Sequence, residues 1–318
     1  IYTLSLHDAL PISAAGSIWQ LVLFRVVQAL GAGCMVSVST ALVKDSFDGR
    51  LRGTVLATIQ SMGVVGPMLA PIVGAFIVQY ASWRVTFLVL AGISLCSLTA
   101  ALLLEEPLKP ESRLRGPVLG SLSRLFVVAR NPSFTSLLLV VALIPAGFMA
   151  YIAVSSYIYQ EFFGLSETAY SLFFAANAAA SVLGPVTYIA INKKVPARVI
   201  ITAALSLAFC GGLAVLLTGR AAPWAFLLSF LPYSFSSSLL RPVSTDTLLS
   251  QQDTDTGSAS ALINFGNTAM GSVGMVVAAL PWRDFVTGLG TIAAGCALLA
   301  LLGWAWLLLS DIPLRGIK

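Results

Sequence analysis

Long apolar runs alternate with short polar breaks along this chain of 318 residues. A helix that crosses a bilayer needs about 20 mostly apolar residues. About nine runs meet that length: 17–43, 53–79, 84–104, 133–160, 168–191, 197–218, 222–249, 258–280 and 285–310. Turn signals separate them, at Asp48-Gly49, Ser82-Trp83, Asn131-Pro132, Gly164, Val195-Pro196, Gly219 and Pro281-Trp282. The longest break, 105–130, is polar and carries Pro107, Pro110 and Pro117. Within it, 118–129 spaces its apolar residues as an amphipathic helix does, which predicts a short helix lying on the inner membrane surface. The break divides three spans from six.

Composition agrees with this pattern. Hydrophobic residues make up 58% of the chain and charged residues 10%, against about 25% charged in a soluble domain. Mean hydropathy is +0.91. A surface this apolar is covered only by lipid. Cys34, Cys96, Cys210 and Cys296 are scattered through apolar runs with no paired spacing, as small buried hydrophobes are. The net charge of +5 points to loops beside anionic lipid, not to a nucleic-acid partner. Residues 1–12 have neither the basic start of a signal peptide nor the length of a span, and resemble translated sequencing-adapter read-through. Residues 1–13 are therefore read as a non-native or disordered leader, and His7, the single histidine, carries no functional weight.

Basic residues orient the spans. With the loop after the first span in the cytoplasm, that side holds Lys44, Arg50, Arg52, Lys109, Arg113, Arg115, Arg124, Arg130, Lys193, Lys194, Arg198, Arg241, Arg315 and Lys318. The opposite side holds Arg84, Arg220 and Arg283. The expected topology puts the C-terminus in the cytoplasm, and the expected location is a bacterial inner membrane.

Two features carry chemistry. The first is the segment 63–75, GVVGPMLAPIVGA, in which Gly63, Pro67, Pro71 and Gly74 recur on one helical face. Prolines inside a helix are costly in water but tolerated in a membrane, where neighbours take up the freed carbonyls. A stripe without side-chain bulk lets a second helix approach closely, so the segment reads as a moving helix–helix contact of a transporter. The second is Arg25, a guanidinium inside a predicted span, which costs a few kcal/mol unless it faces protein or water. Gln28 and Gly31 follow it on the same face, placed for Gln28 to bond a neighbouring helix and Gly31 to make room.

These motifs resemble the major facilitator superfamily, and within it the multidrug efflux proteins of the Bcr/CflA type. Arg25-Val-Val-Gln28-Ala-Leu-Gly31 is similar to the family's fourth-helix motif R-x-x-Q-x-x-G. Gly63, Gly66, Pro67, Pro71 and Gly74 resemble the fifth-helix antiporter motif G-x-x-x-G-P-x-x-G-G, with departures in spacing: Gly63 is only three before Gly66, and the closing pair is Gly74-Ala75. Trp83-Arg84-Val-Thr-Phe87, Leu104-Glu105-Glu106-Pro107 and Gly257-Ser-Ala-Ser-Ala261 resemble further segments of that subgroup. Asn192-Lys193-Lys194-Val-Pro-Ala-Arg198 is similar to a degraded copy of its basic loop.

The resemblance implies an all-α membrane protein of the major facilitator fold lacking its first three helices, with about nine transmembrane helices. On it, 14–104 is the remnant of the N-terminal half, 105–130 a cytoplasmic linker and 131–318 a complete six-helix C-terminal half. It implies a monomeric exporter of small lipophilic compounds, driven by proton antiport without a bound cofactor or metal. Arg25, Gln28 and Gly31 take part in proton coupling. No Asp or Glu lies at the middle of a predicted span, and in the family the titrating acid sits on the first helix. The gate is Gly63, Gly66, Pro67, Pro71 and Gly74 meeting Gly271 and Gly274, which share a face with Asn267 and Ala278. Substrate-cavity candidates are Phe148, Tyr151, Tyr157, Asn177, Asn264, Phe265 and Asn267, with Tyr233 beside them.

Each assignment has a plainer rival. Arg25 serves structure alone, the glycine stripes pack within one half, and the aromatics face lipid or anchor at its boundary. At the level of function the alternatives are a transport-inactive fragment and a carrier of another small solute. An enzyme is not expected, since the spans hold no paired acids or metal-ligand histidines, and Asp253 and Asp255 read as solvated helix-start residues.

Overall fold

The computed structural model describes residues 17–46, 73–74, 76–77, 80–103, 118–192, 194–252 and 256–317. The chain divides into two compact units, Ile1–Arg115 and Gly116–Lys318, with the division inside the predicted linker. In the first unit lie α1 (Ile18–Ser46) and α2 (Trp83–Leu102). The second begins with α3 (Val118–Ala129), α4 (Pro132–Val141), α5 (Ile144–Ser156) and a π-helical turn, Tyr157–Phe162. It continues with α6 (Glu167–Ile191), α7 (Ala197–Thr218), α8 (Pro223–Leu249), α9 (Thr256–Ala278) and α10 (Phe285–Leu309).

Six helices among the described residues are long and apolar enough to cross a membrane: 83–102, 132–162, 167–191, 197–218, 257–278 and 285–309. α8, with 27 residues, has the length, but its serines, Arg241 and Asp246 lower its apolar character. α1 coincides with the first predicted span over most of its 29 residues. The predicted span 53–79 lies outside the described residues except for four helical positions between 73 and 77. The leader 1–13 also lies outside them.

The run predicted as one span over 133–160 is one apolar helical run, 132–162, with a local irregularity inside it. Pro145 has no N–H to give the Val141 carbonyl, so the regular bonding lapses at Ala142 and Leu143, which keep right-handed helical angles, and resumes in α5. At its far end the same run widens into the π turn. The Asn131-Pro132 signal becomes the start of α4: Asn131 Oδ1 accepts from Ser133 N at 3.0 Å, and proline takes the first helical position, where an N–H is not needed. Asp284 caps α10 in the same way, accepting from Thr287 N at 2.8 Å, and pairs with Arg220 at 3.5 Å.

α7 is the spine of the second unit, with α8 on one side and α10 on the other, and α8 also lies along α6. Adjacent glycines on α7 make both approaches possible. A Cβ at Gly211 would come within 2.8 Å of Tyr233 N on α8, and one at Gly212 would collide with the backbone of Ala293 and Ala294 on α10. α9 lies against α5, and α3 against α9 and α4. The core between these helices includes Phe134, Leu137, Tyr151, Phe226, Phe230 and Trp304. The outward faces are equally apolar, with Leu139, Leu172, Ile189, Leu217 and Leu309 exposed. A bundle apolar inside and outside is an integral membrane protein.

Candidate functional site

Arg25 lies on α1 and is solvent-accessible in the bare chain. Its Nη1 donates to Gln28 Oε1 at 2.9 Å, one turn further along the same helix. The guanidinium also stands 5.2 Å from the centre of the Phe87 ring on α2. Gln28 therefore holds Arg25, where the sequence reading gave it a bond to a neighbouring helix. Gly31, two turns on from Arg25, is buried. The motif R-x-x-Q is a local device: residues three apart share a helix face, and the amide oxygen holds the guanidinium fork in place.

Of the predicted gate, Gly63, Gly66, Pro67 and Pro71 lie outside the described residues. Gly74 is helical and half-buried, with no atom within 4 Å of where its Cβ would stand. Gly271 and Gly274 on α9 are both buried, and the space they leave is taken by their own unit. A Cβ at Gly274 would collide with Ala146, and one at Gly271 would come within 2.9 Å of Met149 Cγ, both on α5. Their close approach is to α5, where Pro145 and Ala146 bring bare backbone to the surface, and the stripe 63–72 that they were expected to meet lies outside the described residues. Asn267, on the same face, is half-buried, and Ala278 is buried.

The cavity candidates differ in exposure. Tyr151 is buried in the α5–α6–α8 interior, stacked on Phe230 at 4.5 Å and on Phe174 at 5.9 Å. Asn177 on α6 is buried too, and its Oδ1 accepts from Ser234 Oγ on α8 at 2.8 Å. Both were expected to line a cavity; here they knit helices together. Tyr233 does the same, donating to the Ile144 carbonyl at 2.8 Å, and Gly147 leaves the room its ring occupies. Phe148 is half-buried against the core. Tyr157 is exposed beside Phe285, with ring centres 5.5 Å apart. Asn264 and Phe265 are exposed on α9. Phe174, Phe226, Phe230 and Ser234 were not singled out from the sequence. In runs that are apolar on every face, periodicity does not separate them from lipid-facing neighbours.

These bonds give a contrast that can be measured. Tyr233→Phe removes a buried hydrogen bond between α8 and the Ile144 carbonyl and should cost about 1 kcal/mol. The Tyr151 hydroxyl has no hydrogen-bond partner among the described residues, so Tyr151→Phe keeps the aromatic stack and should leave stability within about 0.5 kcal/mol of the parent. Thermal unfolding of the two purified variants side by side checks the difference.

No group of three or more His, Cys, Asp or Glu suited to a metal occurs among the described residues. What the geometry offers in the second unit is a bundle of closely packed, proline-interrupted helices.

A family model described as Major Facilitator Superfamily matches residues 6–275. The chain belongs to the major facilitator superfamily, which is the family its motifs resemble, and so to transporters and not to enzymes. The match begins within the segment the sequence reading set aside as a leader. Among curated relatives, the uncharacterized MFS-type transporter YdgK of Bacillus subtilis is 29% identical over 81% of this chain and 65% of its own length. A bicyclomycin resistance protein homolog of Haemophilus influenzae is 24% identical over 97% of this chain and 78% of its own. The multidrug resistance protein MdtL of Citrobacter koseri is 25% identical over 87% and 70%. The chain thus spans about two thirds to four fifths of the length of these relatives. A crystal structure of the peptide transporter POT in complex with sulfate superposes with a TM-score of 0.72 at 16% identity, over 96% of this chain and 78% of that one. At that identity the likeness is one of fold.

Proposed function

We propose that this chain exports small lipophilic compounds from a bacterial cell by proton antiport, with alternating access between the two sides of the inner membrane. The observation that carries the proposal is the likeness to a bicyclomycin resistance protein homolog along nearly the whole chain. The relative named as a multidrug resistance protein supports the same reading. Arg25 supports the coupling role: it sits inside a helix, held by Gln28 and by the face of Phe87, and a held guanidinium beside the proton path biases the titration of an acid that approaches it. The proton gradient supplies the energy, and no bound cofactor takes part. The basic residues place the C-terminus in the cytoplasm, and the working unit is a monomer.

Accumulation of ethidium in cells lacking their own exporters tests this. Cells making the chain are expected to hold less dye than cells with an empty vector, and a protonophore should remove the difference. Equal accumulation with and without the chain would support the transport-inactive reading. Export that survives the protonophore would remove the proton from the mechanism.

A further inference from the structure

We propose that α3 and the chain ends beside it form a binding site for an anionic phospholipid. Only Arg130 and Asn131 separate the end of α3 at Ala129 from the membrane-spanning run that starts at Pro132, so α3 lies at the boundary of the bilayer. One side of it is fixed to the bundle: Val128 is buried, and the helix packs against α4 and α9. The other side carries Phe126, 70% exposed, and Val127, 64% exposed. Arg130 is exposed one turn beyond both, on that same outward side. An outward face that joins an aromatic ring, a branched aliphatic and a guanidinium at a membrane boundary suits the interface between acyl chains and headgroups, and not water.

A second basic residue is carried to the same corner by a knot of buried hydrogen bonds. Asn131 Nδ2 donates to the Gln251 carbonyl at 3.0 Å. The Gln251 side chain, itself 5% exposed, donates to the Arg315 carbonyl and accepts from Arg315 N, each at 3.0 Å. Leu314 and Ile317 are buried on either side. Residues 131, 251 and 315 are thereby held together at one end of the bundle, and Arg130 and Arg315 leave neighbouring backbone, both exposed. The phosphodiester of phosphatidylglycerol or cardiolipin matches two guanidinium forks, and its acyl chains reach Phe126 and Val127. The site stands on α3 and the knot alone, whatever the chain transports.

Photocrosslinking tests it. The full chain with p-benzoyl-phenylalanine in place of Phe126 is purified and placed in vesicles of equal parts phosphatidylethanolamine and phosphatidylglycerol. After illumination, lipid adducts are weighed by mass spectrometry. Adducts of phosphatidylglycerol are expected to exceed those of phosphatidylethanolamine by about 25-fold, about fivefold for each of the two arginines near the membrane surface. Arg130→Gln together with Arg315→Gln should bring the two adducts to parity. Equal adducts in the parent, a preference untouched by the double substitution, or no lipid adduct at all would each overturn the proposal.

Discussion

Gly212→Ala is expected to destabilise the second unit by about 3 kcal/mol, although it adds one methyl group to a helix that would otherwise favour it. The added carbon would collide with the backbone of Ala293 and Ala294 on α10. Backbone cannot rotate aside as a long side chain does, so α7 and α10 must separate along their length. Separation also disturbs Trp304, whose Nε1 donates to Thr202 Oγ1 at 2.8 Å across the same pair of helices. Gly295→Ala on α10 is the matching control. No atom lies within 4 Å of its added carbon, and helix propensity favours the change by up to about 1 kcal/mol. Thermal unfolding in detergent, read by tryptophan fluorescence and by the fraction running as one species on size exclusion, should move the two variants in opposite directions. A Gly212→Ala protein that melts like its parent would mean that α7 and α10 do not touch through this glycine.

Arg25→Leu is expected to leave the protein folded and to lower ethidium export by at least about tenfold, which corresponds to about 1.4 kcal/mol of lost coupling. The two readouts separate the rival roles of this residue. If Arg25 only holds α1 to α2, through the Phe87 ring, leucine supplies apolar contact at the same place and export persists. If the guanidinium biases a proton, no apolar side chain replaces it, however well it packs. Gln28→Ala should fall between: it removes the 2.9 Å bond that fixes the guanidinium but keeps the charge. Full export by Arg25→Leu would assign the residue to structure.

Sequence and structure agree closely where a signal is local. The start of α4 follows from an asparagine before a proline, because both the cap and the missing N–H act within one turn. The pairing of Arg25 with Gln28 also acts within one turn, although Gln28 was expected to bond a neighbouring helix. The bond lost at Val141 was within reach of the sequence as well, since Pro145 cannot donate to it.

Partners across the bundle were not legible in the same way. Gly271 and Gly274 read as one side of a gate, and the sequence did not show that α5 takes the space they leave. Tyr151 and Asn177 read as the wall of a cavity, yet they sit in closed interior where α5, α6 and α8 meet. Gln251 gave no signal, although its side chain ties down the last residues of the chain.

By itself the sequence determined the membrane as solvent, the rough limits of most helices, the basic bias of their ends and the superfamily. Each of these follows from the apolar length, charge or local spacing of single segments. Tertiary structure alone decided which face of each helix turns inward and which glycine meets which helix. In lipid the outside of a helix is as apolar as the inside, so hydrophobic periodicity loses the contrast that marks a buried face in water. The choice passes to shape: bare backbone at Gly211, Gly212 and Gly274, and the rings and hydroxyls that fit against it.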